Sequence, residues 1–540
     1  MLVVVVLAAA LASVAGDGDL LNTGGVPALR EFFAAALHPR VDRAFLQVVG
    51  DAALTTLAYA VLGTVLSIAL GLVGGVLVSQ TWWRASGALP RTWVSRWLAT
   101  RALMAVPRGV HEVVWGLVLL SVLGLDPLVA VLAIGLPFGA VCSKVFSEIL
   151  DETPRAPFEA LRASGAGRLA ALLYGLAPLA LPDLLSYSAY RFECAIRSAA
   201  ILGIVGAGGL GFQLALSFQS LRYDEIWTLL AALVVLCGAT DGWSSAVRRR
   251  CTGSRARPER DRVLGWLIVA AVALVPVSVV LLRLDPTVLV QDRARDLTVT
   301  LAQQAWPPEA DWGVLVSLSL DTLMMSVIAA ALSFAGAVLL AVLAARPADD
   351  GRTVARRVLG WCTRQALLFF RAVPSPVWAL LVLFVWFPGP LAGALALALY
   401  NVGILGRLMA EAVEDLDRRP QRALLAAGVS PARAFLYAGL PTVWHRFVAY
   451  GMYRWEVIVR ETVVVGVVGA GGLGRLLAEQ TASFHYAGAS ATLLALIALT
   501  FLVDLTSAAV RRSGSARLSS RAVRSRSERA PGYRRSPRTL

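Results

Sequence analysis

Apolar stretches long enough to cross a bilayer recur along this 540-residue chain. A helix needs about 20 apolar residues to span the hydrocarbon core of a membrane. Eleven stretches meet that requirement, at approximately 52–79, 99–123, 127–149, 183–205, 226–247, 263–282, 314–345, 365–387, 391–410, 443–468 and 489–510. Hydrophobic residues make up 57% of the chain, well above soluble averages, so we predict an all-α polytopic membrane protein.

The amino-terminal stretch MLVVVVLAAALASVAG, residues 1–16, allows two interpretations. It could be a twelfth, short transmembrane helix or a cleaved signal peptide. A signal peptide usually begins with a basic segment, and this stretch has none, which favours the helix.

The net charge of +15 is concentrated in four arginine-rich segments, at 84–96, 248–262, 346–364 and 511–538. If the chain starts inside the cell and crosses the membrane twelve times, all four segments are cytoplasmic, as the positive-inside rule requires. Both termini are then cytoplasmic. The tail at 511–540 has no apolar periodicity and is predicted to be disordered. RNA binding by this tail is an alternative, but no nucleic-acid partner is expected.

Enzyme and metal motifs are missing from the sequence. The only lysine, Lys144, follows Ser143 rather than glycine, so the chain has no phosphate-binding loop for ATP hydrolysis. Its five cysteines and four histidines are too scattered to form a local zinc site. We therefore expect neither catalytic residues nor a bound cofactor in this chain.

The second half of the chain repeats the first at a constant shift of 263 residues. The matches are Trp115 with Trp378, Gly165 with Gly428, Pro178 with Pro441, Arg191 with Arg454, Tyr223 with Tyr486, and Asp241 with Asp504. Upstream, Pro107 is matched to Pro374, with four extra residues in the first copy. The predicted units are 1–250 and 263–510, joined by a basic cytoplasmic linker at 251–262. Six spans in each unit give both units the same orientation, so the repeats are parallel.

A glycine cluster occurs in both units, as GIVGAGGLG at 203–211 and GVVGAGGLG at 466–474. GAGGLG fits the dinucleotide-binding pattern, which requires a preceding strand and a following acidic residue. Both clusters instead end an apolar stretch, and Ala487, Gly488 and Ala489 stand where the second copy needs its acid. We interpret them as sites of close helix approach, with a hinge beside a transport path as a sharper alternative. The glycines concerned are Gly206, Gly208, Gly209, Gly211, Gly469, Gly471, Gly472 and Gly474.

Charged residues precede each glycine cluster, in YRFECAIRSA from Tyr190 and YRWEVIVRET from Tyr453. The spacing of four residues can pair Glu193 with Arg197 and Glu456 with Arg460 on one helix face. Arg191 and Arg454 have no evident local partner. Charges at this depth usually face a cavity or another helix. These six residues therefore either join helices or line the path of an anionic substrate.

A third repeated feature is FEALRASGAGRLAALLYGLAPLALP in the first unit and QRALLAAGVSPARAFLYAGLP in the second. These segments resemble the EAA loop of ATP-binding-cassette importer permeases, which docks on the ATPase subunit as a short coupling helix. The residues that carry the resemblance are Glu159, Ala160, Gly165, Pro178, Ala423, Gly428 and Pro441, with Arg422 where the family has glutamate. The loops extend over 155–178 and 418–441.

Together with R-F-E-x-x-I-R-S-A-x-x-L-G-x-V-G-A-G-G-L-G and the following Tyr223-Asp224, these loops make the chain resemble the membrane subunit of phosphonate importers. The resemblance implies a type I importer fold of about twelve helices, in a bacterial inner membrane. It implies a cytoplasmic ATPase dimer that binds ATP and Mg²⁺, and an extracytoplasmic substrate-binding protein. The implied cargo is a phosphonate, phosphite or related oxyanion. Permeases for other small solutes such as methionine, ion-coupled secondary transporters and non-transporting scaffolds are the alternatives.

Overall fold

The computed structural model describes residues 22–84, 91–251, 261–345 and 354–528, and within these ranges the regular structure consists of helices. Predicted features in residues 1–21, 252–260 and 529–540 lie outside the described residues. They include the amino-terminal stretch and most of the linker. The main helices of the first unit are α1 Val26–Ala35, α2 Arg43–Val78, α3 Arg91–Gly109, α4 Glu112–Leu123, α5 Pro127–Glu152, α6 Ala156–Ala163, α7 Ala177–Leu202, α8 Gly209–Gln219 and α9 Tyr223–Cys251.

The second unit begins with α10, for which the described part of the first unit has no counterpart, and then repeats this order. Its helices are α10 Arg262–Leu282, α11 Asp292–Gln304, α12 Trp312–Ala344, α13 Val354–Ala372, α14 Ser375–Val382, α15 Pro390–Glu414, α16 Arg419–Ala426, α17 Leu440–Val465, α18 Gly472–Ala482 and α19 Tyr486–Glu528. From α3 and α13 onward, every helix start is displaced by 263 residues from its counterpart, as between Ala156 and Arg419. The duplication predicted from the sequence is therefore present in the backbone.

Eight helices are long and apolar enough to cross a membrane, or up to eleven if each sharply bent pair counts as one span. These eleven coincide with the eleven predicted apolar stretches. The last helix does not end near residue 510, where the basic tail was predicted to begin, but continues to Glu528. The described chain thus confirms a polytopic helical membrane protein.

The predicted match between Pro107 and Pro374 is wrong. The indole of Trp115 donates to the carbonyl of Pro107 at 3.4 Å, and that of Trp378 donates to the carbonyl of Phe370 at 3.2 Å. Pro107 thus corresponds to Phe370, and the register stays at 263 without an insertion. Each unit has a sharp helix break here, of 84° or 92°. Pro374 caps the second helix in one unit and His111 does so in the other, so the two prolines occupy different positions.

The glycine clusters form the breaks between α7 and α8 and between α17 and α18. In the first cluster Gly206, Gly208 and Gly209 have φ angles of +115°, +98° and +73°, and their equivalents have +103°, +91° and +70°. Side chains other than glycine are strained in this region. A threonine on α2 or α12 then accepts a hydrogen bond from the next helix, at 2.9 Å from Leu210 or Leu473. Because each cluster joins two helices, the dinucleotide-binding interpretation does not apply.

The fourth glycine of each cluster permits a close backbone approach. A Cβ atom added to Gly211 would lie 1.8 Å from the carbonyl oxygen of Ala200, and one added to Gly474 would lie 2.6 Å from that of Val463. Each short helix therefore folds back against the end of the preceding long helix. The clusters fix a tight turn in both units.

The first helix of the second unit packs against the first unit. Helix α10 contacts α2, and its Leu264 is buried with Ala189, Val247 and Cys251 of the first unit. On its other side α10 leaves Trp266 73% exposed, as expected of a lipid-facing helix. A helix of the second unit is thus packed against helices of the first unit.

Replacing Gly211 with alanine is expected to destabilise the protein by about 1–3 kcal/mol, because the backbone must move to accommodate the new methyl group. Gly242→Ala is the matched control, since nothing lies within 4 Å of the added Cβ in the middle of α9. This control should be neutral or stabilising by up to about 1 kcal/mol. Thermal unfolding of the detergent-solubilised variants measures both effects, and equal midpoints would contradict the close-approach role of Gly211.

Candidate translocation path and coupling surface

Helix α7 carries three charged residues into the protein interior. Arg191, Glu193 and Arg197 are 8%, 6% and 9% exposed. Removing a charge from water costs several kcal/mol unless partners compensate it. The arrangement of partners around α7 and α17 therefore decides which charges are structural and which are available to a substrate.

Glu193 is the centre of an ion-pair network that crosses between the units. It accepts hydrogen bonds from Arg197 at 3.3 Å and from Arg371 of α13 at 3.0 Å. Arg371 also donates to Asp241 of α9 at 2.7 Å, and Arg407 of α15 binds the other oxygen of Asp241. We call these five residues the clasp. It joins α7 and α9 of the first unit to α13 and α15 of the second.

At the pseudo-equivalent contact between the units, where α19 lies beside α3, the aspartate has different surroundings. Asp504, the counterpart of Asp241, faces Arg108, Arg460 and Lys144. Among the described residues, however, its Oδ1 atom has no hydrogen-bond partner. Lys144 pairs instead with Glu148 at 3.9 Å. One of the two pseudo-equivalent contacts between units is therefore tightly bonded and the other is loosely bonded.

The two contacts between the units also differ in the residues that lie further from the clasp. Beside α9, Trp227 stacks on Phe369 at 6.4 Å and Tyr223 meets Phe384 at 6.0 Å. Beside α19, Ser490 and Ser121 stand at the positions of Trp227 and Phe384, while Tyr486 keeps the ring of Tyr223. They line an apolar cavity of about 90 Å³.

Arg191 and Arg454 occupy equivalent positions but have different surroundings. Arg454 donates to Glu461 at 2.6 Å and also bonds the side-chain oxygen of Asn401. The guanidinium of Arg191 instead lies over the ring of Phe138, 3.7 Å from its centroid. In the part of the chain that is described, Nε and Nη2 of Arg191 have no hydrogen-bond partner.

The structure agrees only in part with the predicted charge pairs. Glu193 and Arg197 form the expected pair, but Arg371 shares the carboxylate. Arg460 donates to the backbone carbonyls of Glu456 at 3.2 Å and Arg108 at 3.1 Å. Arg454 was predicted to lack a partner, and this is wrong because Glu461 lies seven residues, or two helical turns, further along the same helix.

Four residues of this region were not predicted from the sequence. Their partners lie on distant helices, or further along the same helix than the four-residue spacing used to predict charge pairs. These residues are Arg371, Arg407, Asn401 and Glu461. A usable signal was present for two of them. Arg371 and Arg407 are arginines within predicted spans, where a charge needs a buried partner.

The EAA-like loops form short helices, α6 and α16, that end in the same glycine turn. Gly165 and Gly428 have φ angles of +89° and +81°. The amide of the next residue donates to a carbonyl five residues back, at 3.0 Å for Ala166 and 3.1 Å for Val429. This arrangement is the Schellman motif, in which glycine is favoured because of its positive φ.

Both loops expose apolar side chains together with all eight predicted coupling residues. Tyr174 and Tyr437 are 80% and 77% exposed, and the neighbouring Leu173 and Leu436 are more than half exposed. Glu159, Ala160, Gly165 and Pro178 are exposed in the first loop, as are Arg422, Ala423, Gly428 and Pro441 in the second. Exposed apolar groups of this kind are typical of surfaces that contact another protein or a membrane.

The two loops are attached to their units unequally. Phe158 of α6 is 3% exposed and packs into a cluster with Leu150, Ala171, Leu172 and Leu176. Its counterpart is Gln421, and α16 contains no buried residue. With Arg422 replacing the glutamate, the second loop is also more basic.

Comparison with known proteins gives a family match over most of the chain. The model of the binding-protein-dependent transport system inner membrane component matches residues 71–286 and 337–513. The two matched segments correspond to the two units of the duplication.

Several curated proteins are similar to this chain. The phosphate-import permease protein PhnE of Mycolicibacterium smegmatis is 29% identical over 471 residues, covering 86% of this chain and 85% of that protein. The phosphite transport system permease protein PtxC of Stutzerimonas stutzeri is 33% identical, covering 46% of this chain and 90% of that protein. The putative cryptic phosphonate transport system permease protein PhnE2 of Escherichia coli strain K12 is 38% identical, covering 20% of this chain and 89% of that protein.

Among solved structures, the inward-facing MetNI methionine ABC transporter is similar to part of the chain. The identity is 20% and the TM-score 0.34, covering 39% of this chain and 100% of the solved chain.

Asp241→Asn is expected to destabilise the protein by about 3–5 kcal/mol, because Arg371 and Arg407 would lose the charge that compensates them. Asp504→Asn is the matched control at the equivalent position. It should cost at most about 1 kcal/mol, because one of its oxygens accepts no hydrogen bond from the described residues. Thermal unfolding in detergent compares the two variants, and a larger loss for Asp504→Asn would contradict the asymmetry.

Proposed function

Since the chain belongs to the family of inner-membrane components of binding-protein-dependent transport systems, we propose that it is the permease of an ATP-driven importer for a phosphorus oxyanion. The observation that carries this proposal is the family match over both units, together with a relative for phosphate import that covers 86% of the chain. The chain supplies both membrane-spanning halves of the transporter. It performs no covalent chemistry.

The substrate class is phosphonate, phosphite or phosphate. The names of the similar proteins refer to phosphate, phosphite and phosphonate. All three are small and negatively charged, and each presents several oxygen acceptors to a guanidinium group. Arg191, buried near the middle of α7, supports an anionic cargo, because a pathway for a neutral solute has no need of a cation with unused donors.

The proposed partners are a cytoplasmic ATPase dimer and an extracytoplasmic substrate-binding protein. ATP and Mg²⁺ are bound by the ATPase and not by this chain. Helices α6 and α16 dock on the two ATPase subunits through their exposed faces, which is supported by the matched Tyr174 and Tyr437. The protein resides in a bacterial inner membrane with the arginine-rich loops and both termini in the cytoplasm.

Transport occurs by alternating access between the two units. ATP binding draws the ATPase subunits together and moves the loops at 155–178 and 418–441, which parts the units on the outer side. The substrate then enters from its binding protein, and hydrolysis restores the inward-open state. The glycine turns at 203–211 and 466–474 are the proposed hinges beside this path. ATP thus shifts the population between two states of one permease.

The double variant Gly165→Asp/Gly428→Asp is expected to abolish uptake and to lose the ATPase on copurification, because it places charge and backbone strain in both docking surfaces. Gly124→Asp is the control, since Gly124 also has positive φ, at +70°, and nothing lies within 4 Å of its added Cβ. Gly124 follows α4 and is distant in sequence from both loops, so this variant should retain the ATPase. Membrane insertion should be intact in both. Normal uptake by the double variant would refute docking through these loops.

A further inference from the structure

The two arginines at equivalent positions in α7 and α17 differ in how their charge is compensated. Arg454 is bonded to Glu461, and Asn401 bridges both residues, accepting from Arg454 and donating to Glu461 at 3.0 Å. At the equivalent positions near Arg191, Phe138 replaces Asn401 and Ser198 replaces Glu461. The duplication has therefore retained both arginines but only one of the two internal acceptor sets.

Arg191 is buried with unused hydrogen-bonding capacity. It is 8% exposed, and no described residue accepts a hydrogen bond from its Nε or Nη2 atoms. The ring of Phe138 offers a cation–π contact to one face of the guanidinium, but it cannot accept bonds from N–H groups in the guanidinium plane. Donors left unpaired in an interior cost free energy, and an oxyanion would supply the missing acceptors.

The carboxylate and tyrosine side chains near Arg191 accept no hydrogen bond from its Nε and Nη2 atoms. The carboxylate that faces it, Glu112, already accepts a hydrogen bond from Ser198 at 2.7 Å and lies 3.4 Å from His111. Tyr187 and Tyr190 also face Arg191, with their rings 6.0 Å apart. Their hydroxyl groups can donate further hydrogen bonds to an anion.

These tyrosines connect Arg191 to the boundary between the units. Tyr190 is 38% exposed, and Tyr453, its counterpart on α17, is 56% exposed. Tyr453 is close enough to Tyr187 and Tyr190 to interact with both electrostatically, so side chains from the two units lie near each other here. A solute that moved between α7 and α17 would meet these rings beside the guanidinium of Arg191.

We propose that Arg191 binds the transported phosphorus oxyanion within the membrane, and that Arg454 does not. The inference rests on the proposed function and assigns the anion site to the first unit alone. A guanidinium binds two oxygens of a phosphate-like group at once, which suits selection of this substrate class. A single arginine also keeps the affinity low enough for release, whereas two unpaired arginines would hold the anion more tightly.

The test compares Arg191→Gln with the double variant Arg454→Gln/Glu461→Gln, which removes an internal pair without leaving a lone charge. Each permease is reconstituted in liposomes with its ATPase and binding protein, and uptake of methylphosphonate, phosphite and inorganic phosphate is measured. Arg191→Gln should raise the transport KM about 10- to 100-fold, the loss expected for a hydrogen bond to a charged group. The double variant should stay within about threefold of the wild type, because its pair contacts no substrate. Arg191→Lys should be intermediate, since it keeps the charge but loses the planar fork.

A second measurement reports binding directly. The three anions are added to the purified permease without the binding protein, and the unfolding midpoint is compared with that in chloride. A ligand that binds the folded protein raises this midpoint. The rise should occur in the wild type and the double variant and be lost in Arg191→Gln. Should Arg191→Gln fail to assemble, Arg191→Lys is used for both measurements, and a KM and midpoint shift equal to wild type overturn the inference.

The other outcomes separate this inference from the proposed function. Uptake of none of the three anions by the wild type would overturn the proposed function and the inference together. Wild-type uptake with an unchanged KM in Arg191→Gln would leave the importer intact and overturn only the anion site. Equal losses in Arg191→Gln and in the double variant would assign Arg191 a structural role and overturn the inference.

Discussion

The compensation of buried charge determines how the two units of this protein are joined. Each unit places charged residues in the middle of a membrane helix, where an uncompensated charge is costly. In the first unit Glu193 pairs with Arg197 of the same helix, and the buried Arg371 of the second unit has Glu193 and Asp241 as its carboxylate partners. The contact between units is therefore a requirement of the charges themselves. Helix α13 packs beside α9, and aromatic contacts between the two units accompany the ion pairs of the clasp.

Duplication produced a pseudo-symmetric backbone with different side chains on its two sides. One contact has the clasp and stacked aromatic rings, while the other has Asp504 with an unused oxygen and a cavity of about 90 Å³. A dimer of identical subunits must change both contacts together, whereas a fused chain can change each independently. Arg191 and Arg454 show the same divergence, since of these two only Arg454 forms an ion pair with a carboxylate of the described residues. The fused chain can thus hold its two contacts between the units with different strengths.

Much of the architecture could be predicted from the sequence, because apolar length and a constant shift of 263 residues are local, one-dimensional signals. The eleven spans and the parallel repeat follow from such signals. The partners of buried charges could not be found in this way. Arg371 and Glu193 are 178 residues apart, and their contact depends on how α13 crosses α7. The two prolines near 107 and 374 were misaligned because both helix breaks contain proline, although only Pro374 caps a helix.

The central claim is that a partner ATPase drives an oxyanion through this chain. The most direct measurement is ATP hydrolysis by the permease reconstituted in liposomes with its ATPase and with its substrate-binding protein either empty or loaded. We expect hydrolysis to rise when the binding protein carries phosphonate, phosphite or phosphate, and the anion to accumulate inside the liposomes. Stimulation by a different solute alone would contradict the oxyanion substrate. Uptake that follows an ion gradient, with no ATPase bound to the chain, would contradict the account as a whole.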